Sequence, residues 1–197
     1  MAEVLLVSDI DGVIRDLYTP VYKEYSKYNK YITFEDFLES LIYFHTPENA
    51  SLVLNLIDKA GGDNLYKNAV YDEKMIEFYK SLMNDGINLL FLTTYTTENR
   101  NKITADQIRN IFGKNPVIIF HKHGLTNKTV PSQFHIKYNK FIVIEDNTLQ
   151  LKNIVCNIIG NGFRNILALR YVINVTPKID NKVYDLFKSR IKKMLKK

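Results

Sequence analysis

Short apolar runs recur along the chain at residues 4–7, 87–92 with Asn88 as its one polar member, 117–120, 141–144 and 166–169. Such runs, as opposed to alternating ones, suit strands covered on both faces, as in a parallel sheet. Helical periodicity falls between them, over 73–84, 104–112 and 149–159. Such alternation predicts an α/β fold with a doubly wound parallel sheet. Residues 16–71 interrupt it: no strand-like run occurs there, and three helices are predicted over 19–28, 33–44 and 50–59. Thr33, with Asp36 three residues on, reads as an N-cap for the second. The chain therefore divides into an α/β core of residues 1–15 and 72–197 and a small helical insertion, 16–71, placed after the first strand.

Ligands of such sheets gather at the strand C-termini, and three of these ends carry chemistry. The first run ends in Asp9-Ile10-Asp11-Gly12. Residues at i and i+2 leave a strand on one side, so Asp9 and Asp11 would face one point, where a divalent cation or a shared proton would offset their repulsion. Gly12 permits a positive φ or close approach of a ligand. The second run ends in Thr93-Thr94, and the run at 141–144 ends in Glu145-Asp146-Asn147. Glu145-Asp146-Asn147 also suits the N-cap of the helix that follows, a role compatible with metal binding. An acidic cluster beside hydroxyl donors suits magnesium and phosphate. Four lysines, Lys122, Lys128, Lys137 and Lys140, lie between the run at 117–120 and the acidic strand end, and spacing does not choose among them.

These pieces, in this order, resemble the motifs of the haloacid dehalogenase superfamily: Asp9-Ile10-Asp11-Gly12-Val13, Leu90-Phe91-Leu92-Thr93 and Ile144-Glu145-Asp146-Asn147. The resemblance implies a Rossmann-like core with a helical cap, and a Mg2+-dependent phosphatase. Asp9 would be the nucleophile and Asp11 the acid and base. Thr93 and a lysine, Lys128 in preference to Lys122, would hold the phosphoryl group. Thr94 and Gly12 would contact substrate, and Asp9, Asp11, Glu145 and Asp146 would serve the metal. Within the superfamily, the run from Asp9 to Asp16 is most similar to the 5'(3')-deoxyribonucleotidase type, which implies a nucleoside monophosphate as substrate. Tyr95 departs from that group, which tends to carry proline there. The alternatives are a phosphatase for polynucleotide ends or sugar phosphates, and a non-catalytic module binding nucleic acid or protein.

Composition adds bounds. The single cysteine, Cys156, excludes an intramolecular disulfide; flanked by Ile154, Val155, Ile158 and Ile159, it is expected to be a buried small hydrophobe. Neither a secretory signal nor a membrane span is visible, which fits a soluble cytoplasmic protein with no membrane partner. Of the net charge of +6, +5 lies in residues 180–197. Val183, Phe187, Ile191 and Leu195 make that segment an amphipathic helix. Its apolar face is expected to pack on the sheet, with a nucleic-acid contact through the lysines as the alternative. Oligomeric state is not legible.

Overall fold

In a computed structural model, residues 3–43, 46–122, 128–173 and 181–196 are described. Five parallel strands form one sheet in the order β5-β4-β1-β6-β7: β1 Val4–Ser8, β4 Asn88–Tyr95, β5 Val117–Lys122, β6 Lys140–Glu145 and β7 Ile166–Arg170. β1 lies at the centre, with Ser8 in register with Phe91 on one side and Ile144 on the other. All five of its residues are buried, as its unbroken apolar pattern requires.

Alternation along β1 divides two cores. Val4 and Leu6 join the cluster formed with α5 (Glu73–Asn84), the C-terminal turns of α6 (Glu98–Phe112) and α9 (Asn181–Lys196). Leu5 and Val7 face Val130, Tyr138 and the buried side of α8 (Thr148–Gly160), with α7 (Ser132–Lys137) nearby. Helices thus cover both faces, the doubly wound arrangement expected.

In α9, Phe187 and Ile191 are buried, and the Phe187 ring lies 5.8 Å from that of Phe78. Lys140, itself buried, donates to the Met194 carbonyl at 3.0 Å, a cation at a helix C-terminus. The lysines of the other face, Lys192, Lys193 and Lys196, are exposed. The side chain of Val183 lies outside the described residues. No helix among the described residues is long and apolar enough to cross a membrane.

The insertion begins and ends on a two-residue antiparallel ribbon, β2 Arg15–Asp16 with β3 Val70–Tyr71, too short to leave a strand signal in the sequence. Between them lie α1 Tyr18–Ser26, α2 Phe34–Phe37 running into a π-helical turn Leu38–Ile42, α3 Pro47–Lys59, and α4 Asp63–Lys67. Thr33 caps α2, accepting from Asp36 N at 3.1 Å. The insertion builds its own core from Leu17, Val21, Phe37, Leu41, Leu56 and Tyr66, among others. Arg100 of α6 ties it to the sheet domain, pairing with Asp63 at 2.9 Å and with Asp58. A second tie runs from Arg170 to Glu39 at 2.7 Å.

Three details differ from the sequence pattern. Thr93 and Thr94 are inside β4, paired with Phe120 and His121, and do not follow it. α6 starts at Glu98, six residues early, because Thr97 caps it through Arg100 N and its polar first turns carry no apolar period. Cys156 is exposed: Ile154 and Ile158 face the core, and two residues of helix, about 200°, turn Cys156 to the opposite side.

Candidate active site

The turn after β1 is wound tightly around one carbonyl. Ile10 O accepts from Ile14 N and Arg15 N, both at 2.9 Å, and from Val13 N at 3.4 Å. Gly12 sits in this turn with φ +80°. A Cβ there would stand 2.4 Å from Asp146 Oδ2 and 2.5 Å from Tyr18 Cε2. Glycine is therefore required twice, by conformation and by space.

The turn separates the two aspartates. Asp9 Oδ1 accepts from Ile10 N at 2.7 Å, and Oδ2 accepts from Lys128 Nζ at 2.5 Å. Asp11 turns to Arg15, whose Nε donates to Oδ1 at 2.6 Å. Each carboxylate thus has its own cation, a compensation that the Asp-x-Asp spacing did not reveal.

Lys128 bridges two strand ends, since its Nζ also donates to Glu145 Oε2 at 2.9 Å. Its backbone N–H donates to Gln150 Oε1 at 2.9 Å, fixing the loop ahead of β6 to α8. Of the four candidate lysines, this is the one at the carboxylates. Lys140 serves α9 instead, Lys137 is exposed, and the Lys122 side chain lies outside the described residues. Asn147 takes the N-cap of α8, accepting from Leu149 N and Gln150 N, and so leaves both preceding carboxylates for the site.

Asp9, Glu145 and Asp146 bring one carboxylate oxygen each within 4.8 Å of one another, all three buried. Asp146 Oδ2 is buried without a hydrogen-bond partner among the described residues. Burying unpaired carboxylate oxygens is costly, and an all-oxygen set of this size suits a hard divalent cation. The residues present therefore fit Mg2+. The Asp11 carboxylate is outside this cluster; its backbone carbonyl accepts from Tyr18 OH at 3.4 Å.

Electrostatics agrees with that fit. Burial pushes the Asp9 carboxyl up to about 8, against the opposing pull of Lys128. Burial likewise raises Glu145 to about 8 and Asp146 to about 6. Lys128 is held charged: desolvation is the largest single influence on it, but Asp9, Glu145 and Asp146 together outweigh it. With one lysine among three buried carboxyls, the cluster retains protons near neutral pH until another cation displaces them.

A cavity of about 290 Å³ lies over this floor, reached by Thr93, Thr94 and Asp11 and closed above by the insertion. Thr93 is buried and Thr94 half-buried. Two participants, Arg15 and His121, escaped the sequence reading. Arg15 is 1% exposed; besides Asp11 it donates to Thr104 Oγ1 at 2.9 Å and lies 4.9 Å from the centre of the Tyr66 ring. His121, beside Thr94, and Tyr43 line the cavity with a buried Nε2 and a buried hydroxyl that lack partners among the described residues. Arg15, a charge four residues after Asp11 in an otherwise apolar turn, was the only one with a sequence signal.

No protein-family model and no curated protein matches the chain in sequence. Solved structures do match in shape. A hydrolase from Streptococcus pneumoniae TIGR4 superposes with a TM-score of 0.56 at 11% identity, covering 95% of this chain and 100% of the other. A predicted phosphatase from Clostridium acetobutylicum gives 0.54 at 12%, covering 96% and 100%. The HAD domain of the effector Lem4 from Legionella pneumophila gives 0.51 at 14%, covering 96% and 94%. At such identities the likeness is one of fold, and the fold is the Rossmann-like one of haloacid dehalogenase hydrolases.

Proposed function

We propose that a chain with this fold and floor is a magnesium-dependent phosphomonoester hydrolase working through an aspartyl-phosphate on Asp9. The observation that supports it most is the Asp9–Lys128–Glu145 bridge beside the unpartnered Asp146 Oδ2, under a cavity at the C-terminal end of the sheet. A phosphate monoester repels nucleophiles, so its charge must be cancelled before attack. Asp9 and Asp146, supported by Glu145 and the Asp11 carbonyl, would hold Mg2+. When bound, that ion supplies most of the charge cancellation.

In the first step an Asp9 oxygen bonds phosphorus while the bond to the leaving oxygen breaks, and Asp11 gives that oxygen a proton. In the second, Asp11 takes a proton from water as its oxygen attacks phosphorus, and the Asp9–phosphorus bond breaks to release phosphate. Arg15 holds Asp11 through Oδ1, so Oδ2 is the oxygen assigned the proton. Lys128 opposes the protonation of Asp9 that burial favours, an opposition that Mg2+ would complete when bound, and faces the charge that develops on the phosphoryl group. Thr93 donates to a phosphoryl oxygen, with Thr94 beside it, and Gly12 leaves room for both phosphate and Asp146. The insertion, residues 16–71, acts as a cap that excludes water and selects the substrate. Its tyrosines favour a nucleoside monophosphate, in preference to a polynucleotide end.

Phosphate release from a panel of nucleoside monophosphates, sugar phosphates and an aryl phosphate, with and without Mg2+, tests this reading. Wild type should release phosphate only with Mg2+, and Asp9→Asn should lose at least about 1,000-fold while remaining folded. No release from any member by folded wild type with Mg2+ would overturn it in favour of a non-catalytic binding module.

A further inference from the structure

The cavity has a floor and a roof of opposite chemistry. The floor carries the carboxylates and Lys128; the roof is built from Leu17, Val21, Leu41, Ile42, Leu54 and Ile57 of the insertion. Whatever replaces water under that roof must give up its own hydration there.

Cationic partners are scarce. Among the described lining residues Lys128 is the only Lys or Arg, and it is already engaged by Asp9 and Glu145. The arginines nearest the roof are also committed, Arg15 to Asp11 and Arg100 to Asp58 and Asp63. Burial and the neighbouring Lys128 lower the His121 pKa, so its imidazole is neutral at pH 7 and adds no positive charge. A second phosphate or a carboxylate on the substrate would therefore stay uncompensated.

Neutral hydrogen-bonding groups are present as well, among them Thr93, Thr94, Thr96, Tyr66 and Gln150. Tyr18 OH is turned to the Asp11 carbonyl, and Tyr43 OH sits against the charge of Asp146. His121 Nε2, buried and without a partner among the described residues, is one polar atom placed to meet a leaving group. A polyhydroxylated body turned to the aliphatic roof would bury unmatched hydroxyls there, each costly.

Resting on the hydrolase reading above and narrowing its substrate, we infer that the group esterified to phosphate is a neutral alcohol that offers a ring-sized apolar face to the roof, with a hydrogen-bonding atom meeting His121. A cavity of about 290 Å³ that also holds the phosphoryl group has room for a body of that size. Sugar phosphates, bisphosphates and phosphorylated amino acids fall outside this class. A nucleoside monophosphate meets it through the flat face of its base.

Benzyl phosphate and glycerol 3-phosphate test the inference with the full chain, because both expel an alkoxide and differ mainly in the polarity of the body. With Mg2+ present, kcat/KM for benzyl phosphate should exceed that for glycerol 3-phosphate by about 10- to 100-fold, the worth of burying one ring. Equal or reversed values would overturn it. Acetyl phosphate, with almost no body, reports on the hydrolase chemistry separately. Should none of the three be hydrolysed, the hydrolase reading fails, and calorimetry with benzylphosphonate and 3-hydroxypropylphosphonate in Mg2+ still decides the inference. Tighter binding of the benzyl compound by about 10-fold or more supports it, and equal binding, or binding of neither, refutes it.

Discussion

Replacing Lys128 by methionine keeps the reach of the side chain and removes the charge that Asp9 and Glu145 share. Lys128 is 5% exposed, and its amine stands 2.5 Å and 2.9 Å from the two carboxylates. At an effective dielectric of about 20, each contact is worth roughly 6 kcal/mol of Coulomb energy. Desolvation of the three ionised groups offsets most of that, and removing one partner of a buried pair costs about 3–5 kcal/mol. The loss depends on pH, because the stranded carboxyls can take up protons. Without Lys128 their native pKa values rise further above those of the unfolded chain, so the native state holds more protons than the unfolded one over a wider range, and stability falls more steeply as pH rises. Urea denaturation in EDTA should show a wild-type-to-variant gap of about 1 kcal/mol at pH 5, widening to about 3 kcal/mol or more at pH 8. Added Mg2+ should narrow the gap at pH 8. A gap that is the same at both pH values, or below about 1 kcal/mol at pH 8, would refute the assignment of Lys128 as the counter-charge of a buried carboxylate cluster.

The same sign rule governs the wild type. Asp9 and Glu145 are raised to about 8 and Asp146 to about 6, so the stability they contribute is full below their unfolded values and is lost as pH rises toward 8. Tm in EDTA should fall between pH 5 and pH 8, and Mg2+ should restore it most at pH 8; a Tm flat across that window with no Mg2+ effect would remove the cation site. Gly12→Ala forces a methyl against Asp146 Oδ2 and Tyr18 at positive φ, for a loss of about 2–4 kcal/mol. It should also weaken Mg2+ binding by calorimetry, whereas a stability change without a change in Mg2+ affinity would separate Gly12 from the metal. Ile191→Ala opens a cavity in the main core beside Phe187 and should lower stability by about 2–4 kcal/mol in urea. A loss under about 0.5 kcal/mol would make α9 an appendage, separable from the fold.

Legibility in the sequence followed the range of each interaction. The unbroken run of β1 and its neighbours, the periodicity of α5 and α8 and the N-cap at Thr33 are local patterns, and the chain spells them out. So are the chemical groups at three strand ends, because a strand end is fixed by its own residues. Which of those groups meet is not local. Lys128 reaches Asp9 across 119 positions; it is the preferred of four candidate lysines, and only the docking of β6 and its preceding loop beside β1 decides for it. Asp11 looked like half of a repelling pair, and only the turn around Ile10 O gives it to Arg15. The exposure of Cys156 follows from helix phase against the sheet, which flanking isoleucines misrepresented. The apolar roof over an ionic floor is the furthest from the sequence: residues 17–57 supply the one and residues 9, 128, 145 and 146 the other. Periodicity determines the elements of this protein. The cavity, and the partner of every buried charge in it, come from long-range packing, since a charge buried in folding takes whichever counter-charge the fold brings within reach.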